Sequence, residues 1–465
     1  MNQQYSPGNP QAIAVPAGGK GTGGNALTAQ PVSRTDRIKS IDAIRGVALL
    51  GILMMNIPGF GINWDFWYSV THGPRTGNDY YTFATVFVFF EGTMRGLFSM
   101  LFGAGMVLFM QNKKDVLGGP TVAELYYRRL LWLVFFGLFN AFVLLWQGDI
   151  LFFYGLCGML LFPFRKLKPK WLLIIGLVCI SFTMLKSQLG YGERRETRIA
   201  YNQAIAAKEE NKKLTPEQQS AITQWTEFEK NQKPDTTYTH RNLRKMRSDY
   251  FTIFNYFIPN NAGGEVWYMY NGVWDMLCMM FIGMAFYLWG FFTNKLRTST
   301  YTIWMMIGYG IGIPIGWVLF DQGWMDTGDM GHYFDRWRVS HEVFAEFRRL
   351  LLTIGHASLI MLVFRSRLVP WLMKALANVG QMAFSNYLMQ SIICTWYFYG
   401  YGFGNYDRLR FHQLYYVVGT VWVFQLIFSS IWMRYFQFGP FEWVWRSLTY
   451  WKKQPMKIKK NGSEE

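Results

Sequence analysis

Residues 82–110 read TFATVFVFFEGTMRGLFSMLFGAGMVLFM, a run of 29 residues broken by only two charges, Glu91 and Arg95. About 20 predominantly apolar residues suffice for a helix to cross the roughly 30 Å of hydrocarbon in a bilayer, so this one stretch can span a membrane. Comparable apolar runs recur on both sides of it. They place spans at approximately 40–60, 82–110, 130–147, 150–164, 171–188, 266–291, 301–320, 347–364, 375–398 and 414–438. Composition agrees: 51% of the residues are hydrophobic and only 16% charged, against about 25% charged in a soluble domain. The reading is an all-α polytopic membrane protein of about ten transmembrane helices, with cytoplasmic termini and one long polar outer loop. A soluble enzyme, a secreted disulfide scaffold and a β-barrel are excluded.

The chain of 465 residues then divides into five parts. Residues 1–37 are a disordered cytoplasmic tail, in which Met1 to Ser33 contains no apolar core of a cleavable signal peptide. Residues 38–188 carry helices one to five, 189–265 a polar helical outer loop, 266–438 helices six to ten, and 439–465 an amphipathic and basic cytoplasmic tail. Within the loop, 199–232 favours two polar helices, the second starting with Thr215 as N-cap and Pro216 at the first helical position. No internal repeat is visible, which counts against transporters built on inverted repeats.

The net charge of +17 raises the question of a nucleic-acid partner. With both ends inside, the cytoplasmic segments hold 23 Lys and Arg, whereas the short outer loops hold five: Arg75, Arg336, Arg338, Arg408 and Arg410. Such an imbalance reports orientation in a membrane. It forms no continuous basic patch, so no nucleic-acid partner is expected. All four cysteines, Cys157, Cys179, Cys278 and Cys394, fall inside spans without metal-ligand spacing and read as core residues. No metal site is expected. Trp64, Trp67, Trp267, Trp396 and the Trp443, Trp445 and Trp451 group mark membrane interfaces.

Charges inside a span cost a few kcal/mol even on the cheapest scale, so they face partners or water-filled cavities. Glu91 and Arg95 stand four residues apart in the favourable order for a helical ion pair. They read either as a structural pair or as an anion site in which Glu91 aims Arg95. In span one, Asp42 lies one turn before Arg45, and Asn56 follows Arg45 by about three turns on the same face. Asp42 and Arg45 suit either cytoplasmic headgroup anchoring or ligand binding. Asp149 after Gly148 is either a turn residue or a site residue, and Asp275 faces an outer vestibule. His356 in span eight and His72 in the first outer loop are the candidate proton-transfer groups; their plain alternatives are helix packing and solvent exposure. No HExxH, GxSxG, Walker or CxxC motif is present, which removes support for common hydrolases and ATPases.

Five ordered stretches carry a resemblance: RIKSIDAIRGVALLGILMMNIPGFG (37–61), GLFSMLFGAGMVLF (96–109), YYRRLLWLVFFGLFNAFVLLWQGDILFFYGLCGML (126–160), LANVGQMAFSNYLMQSIIC (376–394) and GPFEWVWRSLTYWK (439–452). Together they resemble the bacterial YeiB-like membrane family, whose conserved part carries the label domain of unknown function 418. The start of span one, Asp42, Arg45 and Gly46 followed by Asn56, is also similar to transmembrane acyltransferases. In the acyltransferase-3 group a His stands at the place of Asn56. The heparan-α-glucosaminide N-acetyltransferase group has Asn there and a His in the next outer loop, where His72 is the positional analogue. The YeiB-like resemblance further puts a His where Asn140 stands, which implies an altered site in this chain.

The resemblance implies a transmembrane acyltransferase moving an acyl group from cytoplasmic acyl-CoA to an envelope glycan or lipid, in the bacterial cytoplasmic (inner) membrane. Arg45 would meet the CoA phosphates, with Asp42, Asn56, Glu91, Arg95, Asp149 and Asn386 binding substrate, and His72 or His356 catalytic. Acyl-CoA would be a co-substrate, and no permanently bound cofactor is expected. The alternatives are a transporter or flippase of an amphiphile, and a non-catalytic envelope component whose loop binds a partner. The amphipathic 439–451 segment would lie on the membrane and is compatible with a homodimer.

Overall fold

The computed structural model describes residues 38–111, 120–233, 235–326 and 329–458. The N-terminal tail expected over 1–37 lies outside them, as do the last residues of the basic C-terminal tail. Regular structure among the described residues is helical: α1 Lys39–Gly61, α2 Trp64–Thr71, α3 Asn78–Phe90, α4 Thr93–Gln111, α5 Val122–Phe142, α6 Leu151–Leu161, α7 Pro169–Glu209, α8 Pro216–Gln232, α9 Thr236–Met246, α10 Tyr250–Asn271, α11 Val273–Leu288, α12 Thr298–Asp326, α13 Met330–Arg336, α14 His341–Ser366, α15 Pro370–Gln381, α16 Ala383–Phe398, α17 Phe411–Tyr435 and α18 Pro440–Tyr450. An isolated antiparallel bridge joins Phe436 to Lys457.

The helices sort into an inner and an outer set by what they bury. Ala48, Leu49, Leu53 and Ile57 of α1 are fully buried, so α1 runs through the centre. By contrast α7, α12 and α17 leave large apolar side chains uncovered: Val178 is 62% exposed, Trp317 52% and Ile427 56%. Whole helices that expose apolar rows in this way would be insoluble in water and are stable only with lipid as the outer solvent. The chain is a helical membrane protein.

By length and composition, six segments among the described residues can cross a bilayer: Lys39–Gly61, Asn78–Gln111, Pro169–Glu209, Thr298–Gly323, His341–Ser366 and Phe411–Tyr435. The bent pair α10–α11 makes seven if it counts as one span. The sequence reading expects ten, and the difference has local causes. Expected span four shrinks to the 11 residues of α6, which rise only about 16 Å. Expected span nine is divided between α15 and α16 at Met382. Expected span three coincides with α5, whose first turns carry Glu124, Arg128 and Arg129.

The polar segment is built differently from the expected pair of separate helices. Its first helix is the continuation of α7, which runs unbroken for 41 residues. Its second, α8, starts where expected: Thr215 accepts from the Gln218 N–H, Gln218 returns the bond, and Pro216 occupies the first turn. This reciprocal pairing satisfies donors that helix geometry leaves orphaned. Trp225 of α8 is 1% exposed and packs on Phe334 of α13. Arg198 forks onto Asp335 with bonds of 3.2 and 2.7 Å. The hairpin is therefore tied to the bundle by its own aromatic core.

Helix crossings use glycine where backbones touch. A Cβ on Gly103 of α4 would lie 2.0 Å from the Met280 carbonyl, and one on Gly283 of α11 would lie 2.0 Å from the Met100 carbonyl. Close approach of this kind is a common way for membrane helices to associate without a hydrophobic driving force. The glycine-rich α12 is likewise packed tightly, on α14 at Leu351 and Gly355, and stays helical through Pro314. All four cysteines are free and buried. Gly283→Val should lower stability by at least about 3 kcal/mol, because no side-chain rotation relieves a clash with backbone. Gly419→Ala, with open space around it, should leave the melting temperature in detergent unchanged or raised; equal melting of both variants would refute the crossing.

Candidate functional site

The long apolar stretch 82–110 is not one helix. After Phe90 the backbone turns, with Glu91 at φ −57°, ψ 120° and Gly92 at φ +72°. That left-handed conformation suits glycine. The break moves Glu91 off the face that carries Arg95, so the expected i,i+4 pair does not form. Glu91 instead accepts from Arg349 Nη2 at 2.9 Å and from Nη2 of Arg348. Arg348 has a side chain with no exposure at all and also donates to the Phe87 carbonyl at 2.6 Å. Arg349 reaches Glu346 at 2.5 Å, while Arg95 pairs with Asp275 of α11 at 2.6 Å.

Glu91, Arg95, Asp275, Glu346 and Arg349, though not Arg348, line a cavity of 870 Å³, which Asn56, Asp149, Lys186 and Arg194 help to enclose. It lies near the upper end of the 300–1,000 Å³ range usual for small-ligand sites. A second pocket of 250 Å³ opens at the other end of α1, walled by Leu101, Phe102, Leu133 and Phe384 with Asp42, Arg45, Arg129 and Arg446 at its polar part. Ile52 and Ile150 belong to the walls of both. The two cavities approach each other there, the larger one carrying more of the charged side chains.

The expected site residues distribute as follows. Asp42 and Arg45 form a 3.0 Å ion pair in the smaller pocket, with the Arg45 side chain 27% exposed. Asn56, Glu91, Arg95 and Asp149 share the larger cavity. Asp149 is more than a turn residue: Oδ2 accepts from the Phe152 N–H at 2.9 Å, capping α6, and Oδ1 accepts from Asn140 Nδ2 at 2.7 Å. Asn386 is buried away from both, donating to the Val379 carbonyl at 3.2 Å and to Ser429 at 2.9 Å.

Neither expected histidine lines either cavity. His72 closes the end of α2, with Nδ1 2.9 Å from the Tyr68 carbonyl and its ring stacked on Tyr68. His356 has Nε2 2.8 Å from the Phe89 carbonyl and Nδ1 2.8 Å from the Tyr309 hydroxyl. A carbonyl only accepts, so Nε2 carries a proton and a neutral ring accepts from Tyr309 through Nδ1. The residues that sequence reasoning passed over are Arg129, Arg348, Arg349, Glu346 and Glu442. The signal available for the arginines was their occurrence as RR pairs at 128–129 and 348–349, each in the first turns of an apolar helix.

Fold and site together define a multi-pass helical membrane protein with a cavity towards each end. Residues 286–452 match the family described as "Protein of unknown function (DUF418)". The chain is 29% identical over 441 residues to "Uncharacterized protein YxaH" of Bacillus subtilis (strain 168), covering 92% of this chain and 98% of that protein. It is 28% identical over 425 residues to "Uncharacterized protein YeiB" of Escherichia coli (strain K12), covering 89% and 96%. It is similar to both of these proteins over most of its length. No solved structure gives a significant match.

Glu91→Gln should cost about 3 to 5 kcal/mol, since it leaves the buried Arg348 charge without its carboxylate. Arg75→Gln, which breaks the exposed Arg75–Asp321 pair, should change stability by about 0.5 kcal/mol or less. Thermal unfolding of the two variants in the same detergent separates them, and equal losses would refute the special weight given to Glu91.

Proposed function

We propose that the protein is a transmembrane acyltransferase of the bacterial cytoplasmic membrane, with the smaller pocket as the inner one, taking acyl-CoA, and the larger cavity as the outer one, supplying an acceptor hydroxyl or amine. The observation that carries this reading is that Ile52 and Ile150 wall both cavities. An acyl group held between apolar walls on one side can meet a polar acceptor on the other without either substrate crossing. The excess of Lys and Arg on the segments around the inner pocket supports its cytoplasmic orientation.

In this reading Arg45 meets phosphate at the inner mouth. Asp149, next in sequence to Ile150, takes the acceptor proton. The acceptor oxygen or nitrogen bonds to the thioester carbonyl carbon, the C–S bond breaks, and CoA leaves as thiolate before receiving the proton. Asn140 directs Asp149 through its 2.7 Å bond. Asn56, Arg95 and Asp275 hold the acceptor, a glycan or a lipid head, by hydrogen bonds. A transporter or flippase is the second reading, favoured by the helix break at Glu91–Gly92, which puts a switchable ion cluster beside the same cavity.

Acyl-CoA should raise the melting temperature of the purified protein by mass action, and Arg45→Ala should abolish the shift. Asp149→Asn should keep donor binding but lower transfer at least about 100-fold, the range expected for loss of a general base. His72→Ala and His356→Ala should retain transfer. Movement of an amphiphile across vesicles without a covalent product would replace this reading with transport.

A further inference from the structure

The inner pocket contains a charge that the fold leaves uncompensated. Arg129, in the second turn of α5, lines the pocket with Arg45 and Arg446. Its guanidinium lies 4.4 Å from the centroid of Trp445 and 5.4 Å from that of Phe109, so aromatic faces enclose it. The acids nearby are already used. Asp42 pairs with Arg45 at 3.0 Å. Glu442 accepts from the Phe384 N–H at 2.7 Å, the Ser385 N–H at 3.0 Å and the Ser385 hydroxyl. Neighbouring Arg128 has Glu124 and the Thr449 carbonyl. Among the described residues no carboxylate or carbonyl receives the Arg129 guanidinium; the phenol groups of Tyr450 and Tyr126 favour the charge, and Arg45 opposes it.

Arginine keeps its charge under all ordinary conditions, and an enclosed unpaired charge is costly, so the site gains strongly from an added anion. Rings on its faces leave the guanidinium edge to present parallel donors, the geometry that matches phosphate. Beyond the charges the pocket is apolar, walled by Leu101, Phe102, Leu133 and Phe384. Trp445 anchors this arrangement by donating Nε1–H to the Arg129 carbonyl at 2.9 Å, which brings α18 over the opening.

We propose that Arg129 is the anchor of a binding site for an anionic amphiphile, a phosphate-bearing head on an acyl chain, with the chain lying between α4, α5 and α16. This rests on the donor pocket of the preceding reading but not on the transfer step. A soluble acyl-nucleotide thioester and a membrane phospholipid share this chemistry.

Gly105 offers a test of the chain part. It lines the pocket and has open space around the position of a Cβ. Gly105→Leu therefore fills the apolar space while improving helix propensity. The full-length protein in a maltoside detergent would be titrated with dodecyl phosphate and followed by native mass spectrometry. Wild type should retain it, and Arg129→Gln and Gly105→Leu should each weaken retention at least tenfold, with Arg75→Gln as an unaffected control. Where Arg129→Gln yields too little folded protein, Gly105→Leu carries the test. Displacement by lauroyl-CoA identifies the thioester as the occupant, and displacement by phosphatidylglycerol identifies the lipid. Displacement by neither, retention unchanged in both variants, or inorganic phosphate binding as tightly as dodecyl phosphate would overturn the proposal. Variant-sensitive binding with no acyl product in the transfer assay would overturn the transferase reading alone; where lauroyl-CoA is the displacing ligand, acyl product formed equally by wild type and both variants would overturn this site alone.

Discussion

A guanidinium cannot give up its proton to escape a membrane interior, and Arg348 has no exposed side-chain surface at all. Its charge has to be met in place. Much of the structure around the larger cavity follows from that requirement. The carboxylate that meets it, Glu91, sits where the chain leaves its helical path, and the turn at Gly92 is what lets Glu91 face α14. With Glu91 engaged by α14, Arg95 is left to Asp275 of α11. Three elements, α4, α11 and α14, are thus joined by charge at the level where the polar cavity begins. Below it, α4 and α11 need no charge and meet by backbone contact at Gly103 and Gly283.

Along α1 the environment grades from one kind of chemistry to another. Its first turns present Asp42 and Arg45 to a pocket with few charged side chains, and its later turns present Asn56 to one with more of them. Between them Ile52 is the partition. A site for joining a greasy donor to a hydrophilic acceptor needs this ordering: the reacting centre lies between two solvents, and each substrate keeps its bulk in the one it prefers. The C-terminal part of the chain, which matches the family of unknown function, supplies Glu442 and Trp445 to the inner side of that partition.

Local signals in the sequence were informative and distant ones were not. Thr215 and Pro216 announce the start of α8 because a cap is decided by residues within one turn of each other. The cysteines read as core because each lies inside an apolar run. The same locality misleads at Glu91 and Arg95, four apart in sequence, since the partners that win are more than 250 residues away on α14. Hydropathy counts apolar length but not breaks, so 150–164 and 375–398 read as full spans where the chain makes short or divided helices. Arg129 was visible only as a positive charge that orients a loop. Its enclosure by Phe109 and Trp445 depends on α18 returning from the far end of the chain.

The unbroken length of α7 has a mechanical consequence. Its 41 residues make a rod of about 60 Å, lipid-facing at one end and carrying Arg198 and Tyr201 into the polar hairpin at the other. Between these ends Thr183, Lys186, Gly190 and Arg194 form part of the cavity wall. A rod without a joint transmits torque, so any load on the hairpin, such as the pull of a tethered polymer, acts directly on the shape of the space where the acceptor would sit.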